Sequence, residues 1–215
     1  MGKYKAVIFD LDGVITDTAE FHYLAWKNLA KSLGIEIDRA FNETLKGVSR
    51  IDSLKEILKL GNILGNYTEA EIDTLANKKN EEYVELIKKI TPSDILPGII
   101  EFLEKLKKEG IKIAMASASK NAFMVADLLQ VSHYFDHIVD ASKVANSKPD
   151  PEVFLKAASA VGVSPVECMG VEDARAGVVA IKAAGMYAVG IGEQDILDNA
   201  DIVLSDTTKL NELAI

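Results

Sequence analysis

The sequence predicts an α/β protein, with a doubly wound parallel sheet and a small helical unit inserted after the first strand. From residue 91 onwards, short apolar runs alternate with single helical stretches, which is typical of parallel strands joined by right-handed crossovers. Residues 18–90, in contrast, show helical periodicity without any strand pattern. With 215 residues, 48% of them hydrophobic, the chain is long enough for one sizeable core and a smaller second unit.

The first strand is predicted over residues 5–9, because Ala6-Val7-Ile8-Phe9 is a continuous and partly β-branched apolar run. Asp10 and Asp12 follow it directly, before a turn at Gly13. Ligands of open α/β sheets bind outside the carboxyl ends of the strands. We therefore expect two carboxylates to share one small volume at a ligand-binding edge.

The inserted unit, residues 18–90, is predicted to contain three helices. The first spans residues 19–33 and ends at Gly34, a favourable residue after a helix. Its apolar stripe is predicted to comprise Phe21, Leu24, Ala25 and Leu29. The second helix begins near Ser49 or Asp52, and the third at Thr68, where Glu71 three residues later completes a capping box.

The remaining elements belong to a core domain of residues 1–17 and 91–215, and the helical residues 18–90 form a cap domain. The later strands of the core are predicted at 111–116, 137–140, 167–171, 186–190 and 202–204. Helices are predicted between Pro97 and Gly110 and over residues 121–129, 151–161 and 177–184.

Polar residues follow several of these strands and therefore share one edge of a parallel sheet. They are Asp10 and Asp12, Ser117, Lys148 with Pro149, and Glu172 with Asp173. Carboxylates a few ångströms apart repel one another by roughly kilocalories at an effective dielectric near 20, so the cluster requires cations. Lys148 supplies one of these positive charges. A divalent ion with oxygen ligands supplies the rest, and Mg²⁺ fits this description.

The motif of residues 9–17, together with Ser117, Lys148-Pro149 and Glu172-Asp173, resembles the haloacid dehalogenase superfamily of phosphoryl-transfer enzymes. The segments 45–50 and 116–121 extend the resemblance over the whole chain and narrow it to the hexose-phosphate mutases of that superfamily. The resemblance implies a Rossmann-like core with a helical cap. It also implies an isomerase that forms an aspartyl phosphate, passes through a bisphosphate intermediate and uses Mg²⁺.

The resemblance also assigns roles to individual residues. Asp10 would be the nucleophile and Asp12 the general acid and base, with Thr18 and His22 steering Asp12. Magnesium would be held by Asp10, the backbone carbonyl of Asp12, Glu172 and Asp173. The transferring phosphate would be held by Ser117, Ala118 and Lys148, and the second phosphate by Arg50, Ser119, Lys120 and Asn121. The sugar and its phosphate would contact Lys46, Gly47, Val48, Ser49 and Lys79.

Two alternatives share part of this pattern. A sugar-phosphate phosphatase would use the same core residues but would not need a second phosphate site. A phospho-receiver or binding domain also places acids and a lysine around Mg²⁺, but it would not need the helical insertion.

Composition limits the partners and the location. The formal net charge of −9 argues against nucleic acid and anionic membranes as partners. The single cysteine, Cys168, lies in an apolar run and is expected to be a core thiol. Because the sequence starts without a signal-type apolar stretch, we expect a cytoplasmic protein, and we expect it to be a monomer.

Overall fold

The computed structural model of the protein describes residues 4–215. Residues 1–3, with which the predicted core segment 1–17 begins, lie outside the described part. The chain divides into two compact units. Among the described residues, one unit comprises 4–17 with Ile90–Ile215, and the other comprises Thr18–Lys89.

The smaller unit contains four α-helices around its own apolar core. They are α1 (Ala19–Ser32), α2 (Arg39–Glu43), α3 (Arg50–Leu60) and α4 (Glu69–Ile87), with a short 3₁₀ turn at Leu64–Asn66. The predicted capping box of α4 is present, since the Thr68 N–H donates to Glu71 (2.8 Å) and the Glu71 N–H donates to the Thr68 hydroxyl (3.3 Å). Helix α3 begins after Ser49, whose hydroxyl accepts from the Asp52 N–H at 3.2 Å.

The buried face of α1 differs from the predicted stripe. Leu24 is 36% exposed and Phe21 is only partly buried, whereas the buried residues of the helix are Tyr23, Ala25, Trp26, Leu29 and Ala30. The prediction was right for Ala25 and Leu29 and wrong for Phe21 and Leu24. It also left out Tyr23 and Trp26, whose large rings bury more surface. The five-residue helix α2 was not predicted from the sequence.

The larger unit is built on a six-stranded sheet in which every pairing is parallel, in the order β3-β2-β1-β4-β5-β6. The strands are β1 (Ala6–Phe9), β2 (Lys112–Met115), β3 (His137–Ile138), β4 (Cys168–Glu172), β5 (Tyr187–Ile191) and β6 (Ile202–Leu204). The helices are α5 (Ile99–Lys108), α6 (Ala122–Leu128), α7 (Glu152–Val161) and α8 (Arg175–Ala183). The predicted α/β class and doubly wound parallel sheet are confirmed.

The register of the central strands brings their carboxyl ends to the same level. Phe9, the last residue of β1, is paired with Met115 of β2 and with Val171 of β4. The ladder continues one step further, because the Asp10 N–H donates to the Val171 carbonyl at 2.9 Å. Asp10 and Ser117, which come after β1 and β2, and Glu172, the last residue of β4, therefore lie at one edge of the sheet.

Among residues 4–215, no helix combines the length and the apolar character that a membrane span requires. Cys168 is buried at the start of β4, and burial raises the pKa of its thiol to about 11. It is a structural core residue, as its apolar surroundings in the sequence predict.

Candidate active site

Asp10 is held by two different donors at the end of β1. Its side chain is almost completely buried, at 5% residue exposure. Oxygen Oδ2 accepts from the backbone N–H of Asp12 at 3.0 Å, and Oδ1 accepts from the Lys148 ammonium at 2.6 Å. The first contact depends on the tight loop after β1, in which the Gly13 N–H donates to the Thr16 carbonyl at 2.8 Å. The carboxylate is thus fixed in orientation by the turn that follows its own strand.

Lys148 forms a buried bridge between two carboxylates. Its ammonium lies 2.6 Å from Asp10 Oδ1 and 2.8 Å from Glu172 Oε2, and its side chain has no exposed surface. Burial disfavours the charge, but Asp10 and Glu172 hold the pKa of Lys148 above its ordinary value. The bond between Lys148 and Pro149 is cis. Lys148 is therefore a fixed positive charge beside Asp10.

Three carboxylates converge here in a way that fits a divalent cation. Asp10, Glu172 and Asp173 each offer an oxygen, and these oxygens lie within 4.8 Å of one another. Burial and the neighbouring charge of Asp10 raise the pKa of Glu172 well above its ordinary value, despite Lys148, and the charge of Asp173 adds to this rise. A bound cation would relieve that repulsion. Mg²⁺ is the cofactor that fits, because hard carboxylate oxygens are its preferred protein ligands.

Two glycines leave the space that these carboxylates occupy. A Cβ on Gly13, which has φ +72°, would lie 2.1 Å from Asp173 Oδ2, and a Cβ on Gly177 would lie 1.9 Å from Glu172 Oε2. Any larger residue would displace a carboxylate. A turn at Gly13 was predicted from the sequence, but the close approach of a carboxylate to either glycine was not, because a glycine in a turn or a helix does not reveal which side chain packs against it.

The predicted phosphate loop after β2 is folded by its own hydroxyls. Ser117 is 1% exposed, and its hydroxyl accepts from the Ser119 N–H at 3.0 Å. The Ser119 hydroxyl accepts from the Asn121 N–H at 3.2 Å, just before α6. Ala118 and Asn121 are partly buried, and Lys120 is exposed.

In the smaller unit, one lysine side chain packs among a histidine and two aromatic side chains. The Lys79 ammonium lies 2.7 Å from His22 Nδ1 and over the rings of Trp26 (4.5 Å) and Tyr83 (4.8 Å). The His22 ring stacks on Tyr83 at 4.0 Å between centroids, and the Tyr83 hydroxyl donates to Thr18 at 3.3 Å. Lys79 is only 2% exposed. Three of the predicted site residues, Thr18, His22 and Lys79, are thus brought together.

Burial and the neighbouring positive charges determine the protonation state of the His22 imidazole. Burial, then the positive charges of Lys79 and Arg50, lower the pKa of His22 well below its ordinary value. The ring is therefore neutral near pH 7, and Nδ1 can accept a hydrogen bond from the Lys79 ammonium. Burial also lowers the pKa of Arg50, although the guanidinium stays charged at neutral pH. Trp26 and Tyr83 were not predicted as site residues, because aromatic residues at helical spacing usually indicate core.

The segment from Lys46 to Arg50 links α2 to α3 and is partly exposed throughout. The Lys46 ammonium pairs with Glu43 at 2.9 Å, and Gly47 has φ +72°. The Ser49 hydroxyl donates to the Asp52 carboxylate at 2.6 Å besides capping α3, so its side chain has a local structural role. Val48 lies in the same loop.

The chain is similar to known proteins along most of its length. The family model of the haloacid dehalogenase-like hydrolases matches residues 4–185, and the chain belongs to this family. It is 51% identical over 206 residues to the β-phosphoglucomutase of Bacillus subtilis strain 168, an alignment that covers 96% of this chain and 91% of the relative. It is also 32% identical to a phosphorylated carbohydrates phosphatase of Thermotoga maritima, over 86% of this chain and 83% of that protein.

Solved structures include similar molecules. The crystal structure of β-phosphoglucomutase from Clostridium difficile is 50% identical, with a TM-score of 0.95 over 96% of this chain and 93% of that one. A putative β-phosphoglucomutase from Bacteroides vulgatus is 27% identical, with a TM-score of 0.84 over 97% and 86% of the two chains. The resemblance inferred from the sequence motifs is confirmed.

Proposed function

We propose that this protein is a β-phosphoglucomutase, an isomerase that interconverts β-D-glucose 1-phosphate and D-glucose 6-phosphate. The reaction would pass through β-D-glucose 1,6-bisphosphate and an aspartyl phosphate on Asp10. The observation that carries the proposal is the environment of Asp10, whose carboxylate is oriented by the Asp12 N–H and by Lys148 beside two further acids. The 51% identity to a β-phosphoglucomutase over nearly the whole chain supports the choice of sugar phosphate.

In the proposed reaction, a carboxylate oxygen of Asp10 attacks one of the two phosphorus atoms of the bisphosphate. Asp12 then protonates the departing sugar oxygen, and in the return step it removes the proton from the attacking sugar hydroxyl. Lys148, with the Ser117 hydroxyl and the Ala118 N–H, would hold the oxygens of the transferring phosphate. Magnesium bound by Asp10, the Asp12 carbonyl, Glu172 and Asp173 would neutralise charge on that group.

A mutase must also bind the second phosphate of its intermediate and the sugar. We assign the phosphate to Arg50, Ser119, Lys120 and Asn121, and the sugar to Lys46, Gly47, Val48, Ser49 and Lys79. The planar guanidinium of Arg50 is suited to bidentate phosphate contact. Within the proposal, His22 and Thr18 act with Lys79 in controlling Asp12. The same proposal places the enzyme in the cytoplasm as a monomer.

The phosphatase alternative uses the same core residues and is represented among the relatives, at 32% identity. An assay with β-glucose 1-phosphate and a trace of the bisphosphate separates the two activities. The proposal requires that glucose 6-phosphate forms much faster than free phosphate. Stoichiometric release of phosphate without glucose 6-phosphate would establish the hydrolase instead. The receiver alternative is set aside, because the family match runs through the helical insertion.

A further inference from the structure

The loop that carries Lys148 is tied to the first turn of helix α7. This loop, residues 144–151, connects a 3₁₀ turn at Ala141–Lys143 to α7 and contains no regular secondary structure. Lys148 nevertheless has to place a fully buried ammonium within 2.8 Å of two carboxylates. An irregular loop achieves such accuracy only if other groups fix its backbone.

Glu152, in the first turn of α7, supplies this constraint. One carboxylate oxygen accepts from the Ala145 N–H at 2.9 Å. The other accepts from the Asn146 N–H at 2.8 Å and from the Asn146 side-chain amide at 3.1 Å. Two consecutive backbone donors thus converge on one carboxylate. Since both oxygens serve as acceptors, an amide in place of the carboxylate would present a donor to one of these N–H groups.

The same helix also contacts the far end of the Lys148 side chain. The Phe154 ring, two residues beyond Glu152, lies 5.0 Å below the ammonium. Glu152 itself keeps 21% side-chain exposure, so it is outside the buried acidic cluster. The N–H groups of Ala145 and Asn146 lower the pKa of Glu152 to about 2, and the carboxylate is ionised at every pH at which such an enzyme works.

We propose that Glu152 is a positioning residue for Lys148, which fixes the loop so that the ammonium reaches Asp10 and Glu172. Glu152 does not touch the reacting groups and acts only through Lys148. This inference rests on the proposed function, because Lys148 is the cation assigned to the transferring phosphate. The positioning itself is a property of the protein alone and can be measured without substrate.

The test compares Glu152→Gln with Glu101→Gln in the whole protein. Glu101 is also a first-turn glutamate of a core helix, α5, so both variants lose the same favourable interaction with a helix N-terminus. The direct readout is the ammonium resonance of Lys148 in proton–nitrogen NMR spectra, assigned by its absence in Lys148→Arg. A buried, hydrogen-bonded ammonium exchanges slowly with water and gives such a signal.

We expect Glu152→Gln to lose or broaden the Lys148 signal, while Glu101→Gln retains it. We also expect kcat of the mutase reaction to fall roughly 10- to 100-fold, with KM changed much less, which is the usual cost of removing a residue that orients an active group. In a Lys148→Met background, Glu152→Gln should have almost no further effect on kcat, since the two residues act as one unit.

An unchanged Lys148 signal in Glu152→Gln would overturn the inference, even if kcat fell. A kcat equal to that of Glu101→Gln would overturn it as well. If Lys148→Met does not fold, the NMR comparison decides alone. A wild-type protein that shows the Lys148 signal but no mutase turnover would refute the proposed function, and the NMR comparison would still test the role of Glu152.

Discussion

Replacing Lys148 with methionine tests whether the buried ion cluster stabilises the protein. Methionine keeps much of the side-chain volume but removes the charge that lies 2.6 Å from Asp10 and 2.8 Å from Glu172. All three side chains are at most 6% exposed, so water cannot replace the lost contacts. Removal of one member of a buried ion pair costs about 3–5 kcal/mol, because the remaining charge is left without a partner.

The assay is urea unfolding of Lys148→Met and the wild type in the presence of a chelator. Lys182→Met is the matched control. The Lys182 ammonium lies at the same distance, 2.6 Å, from Asp201, but these side chains are 40% and 28% exposed. The control should lose only about 0.2–1 kcal/mol, as exposed ion pairs usually do. Magnesium should restore part of the loss in Lys148→Met, because it brings positive charge back to the three acids.

A Lys148→Met variant as stable as the Lys182→Met control, in chelator, would refute this reasoning. It would mean that Asp10 and Glu172 tolerate burial without Lys148 and that the carboxylate cluster does not need the positive charge of this lysine for stability. The urea midpoint and the slope should be compared together, since a changed slope indicates a different unfolding transition.

Three further predictions concern other parts of the structure. Gly177→Ala should lower the magnesium affinity measured by calorimetry, because a Cβ at this position would lie 1.9 Å from Glu172 Oε2. The control Gly65→Ala should leave the affinity unchanged, since a Cβ at Gly65 meets nothing within 4 Å. Equal affinities in the two variants would contradict the packing argument. Asp12→Asn should reduce kcat by roughly 10²–10⁴, which is the usual contribution of a general acid and base, and should leave the urea midpoint unchanged. A variant with the wild-type kcat would exclude Asp12 as the general acid and base. The His22 ring signals should not titrate near pH 6.5 in NMR spectra, because the pKa of His22 is depressed in the folded protein. The stability that the neutral His22 contributes should be lost as pH falls from about 6.5 towards the folded pKa, because the unfolded chain binds the proton first. A His22 titration near pH 6.5 would contradict its burial beside Lys79.

The sequence predicted the fold well because its signals were local and strong. The apolar run of β1 and the Thr68–Glu71 capping box define elements within a few residues, and both elements are present. Polar residues after three strands predicted the acidic edge, since parallel strands place their carboxyl ends together. Two of the four residues of the predicted α1 stripe, Phe21 and Leu24, are not fully buried, because burial depends on the partner surface, which the sequence of one helix does not contain.

The parts of the site that the sequence did not predict depend on packing between distant segments. The Glu172 side chain packs against Gly177, where a Cβ would collide with it, and two N–H groups of the preceding loop donate to the Glu152 carboxylate. Trp26 and Tyr83 lie against Lys79 across two helices, α1 and α4. Such contacts become visible only once the elements are assembled, whereas the residue types alone indicate core or surface.

Chemical trapping tests most directly whether Asp10 carries the phosphoryl group. The protein is incubated with the bisphosphate, and borohydride then reduces the acyl phosphate to an alcohol with release of the phosphate. Mass spectrometry of peptides locates the residue that has become homoserine. We expect the modification at Asp10 alone and none in Asp10→Asn. Modification of another side chain, or turnover in Asp10→Asn at the wild-type rate, would contradict the account.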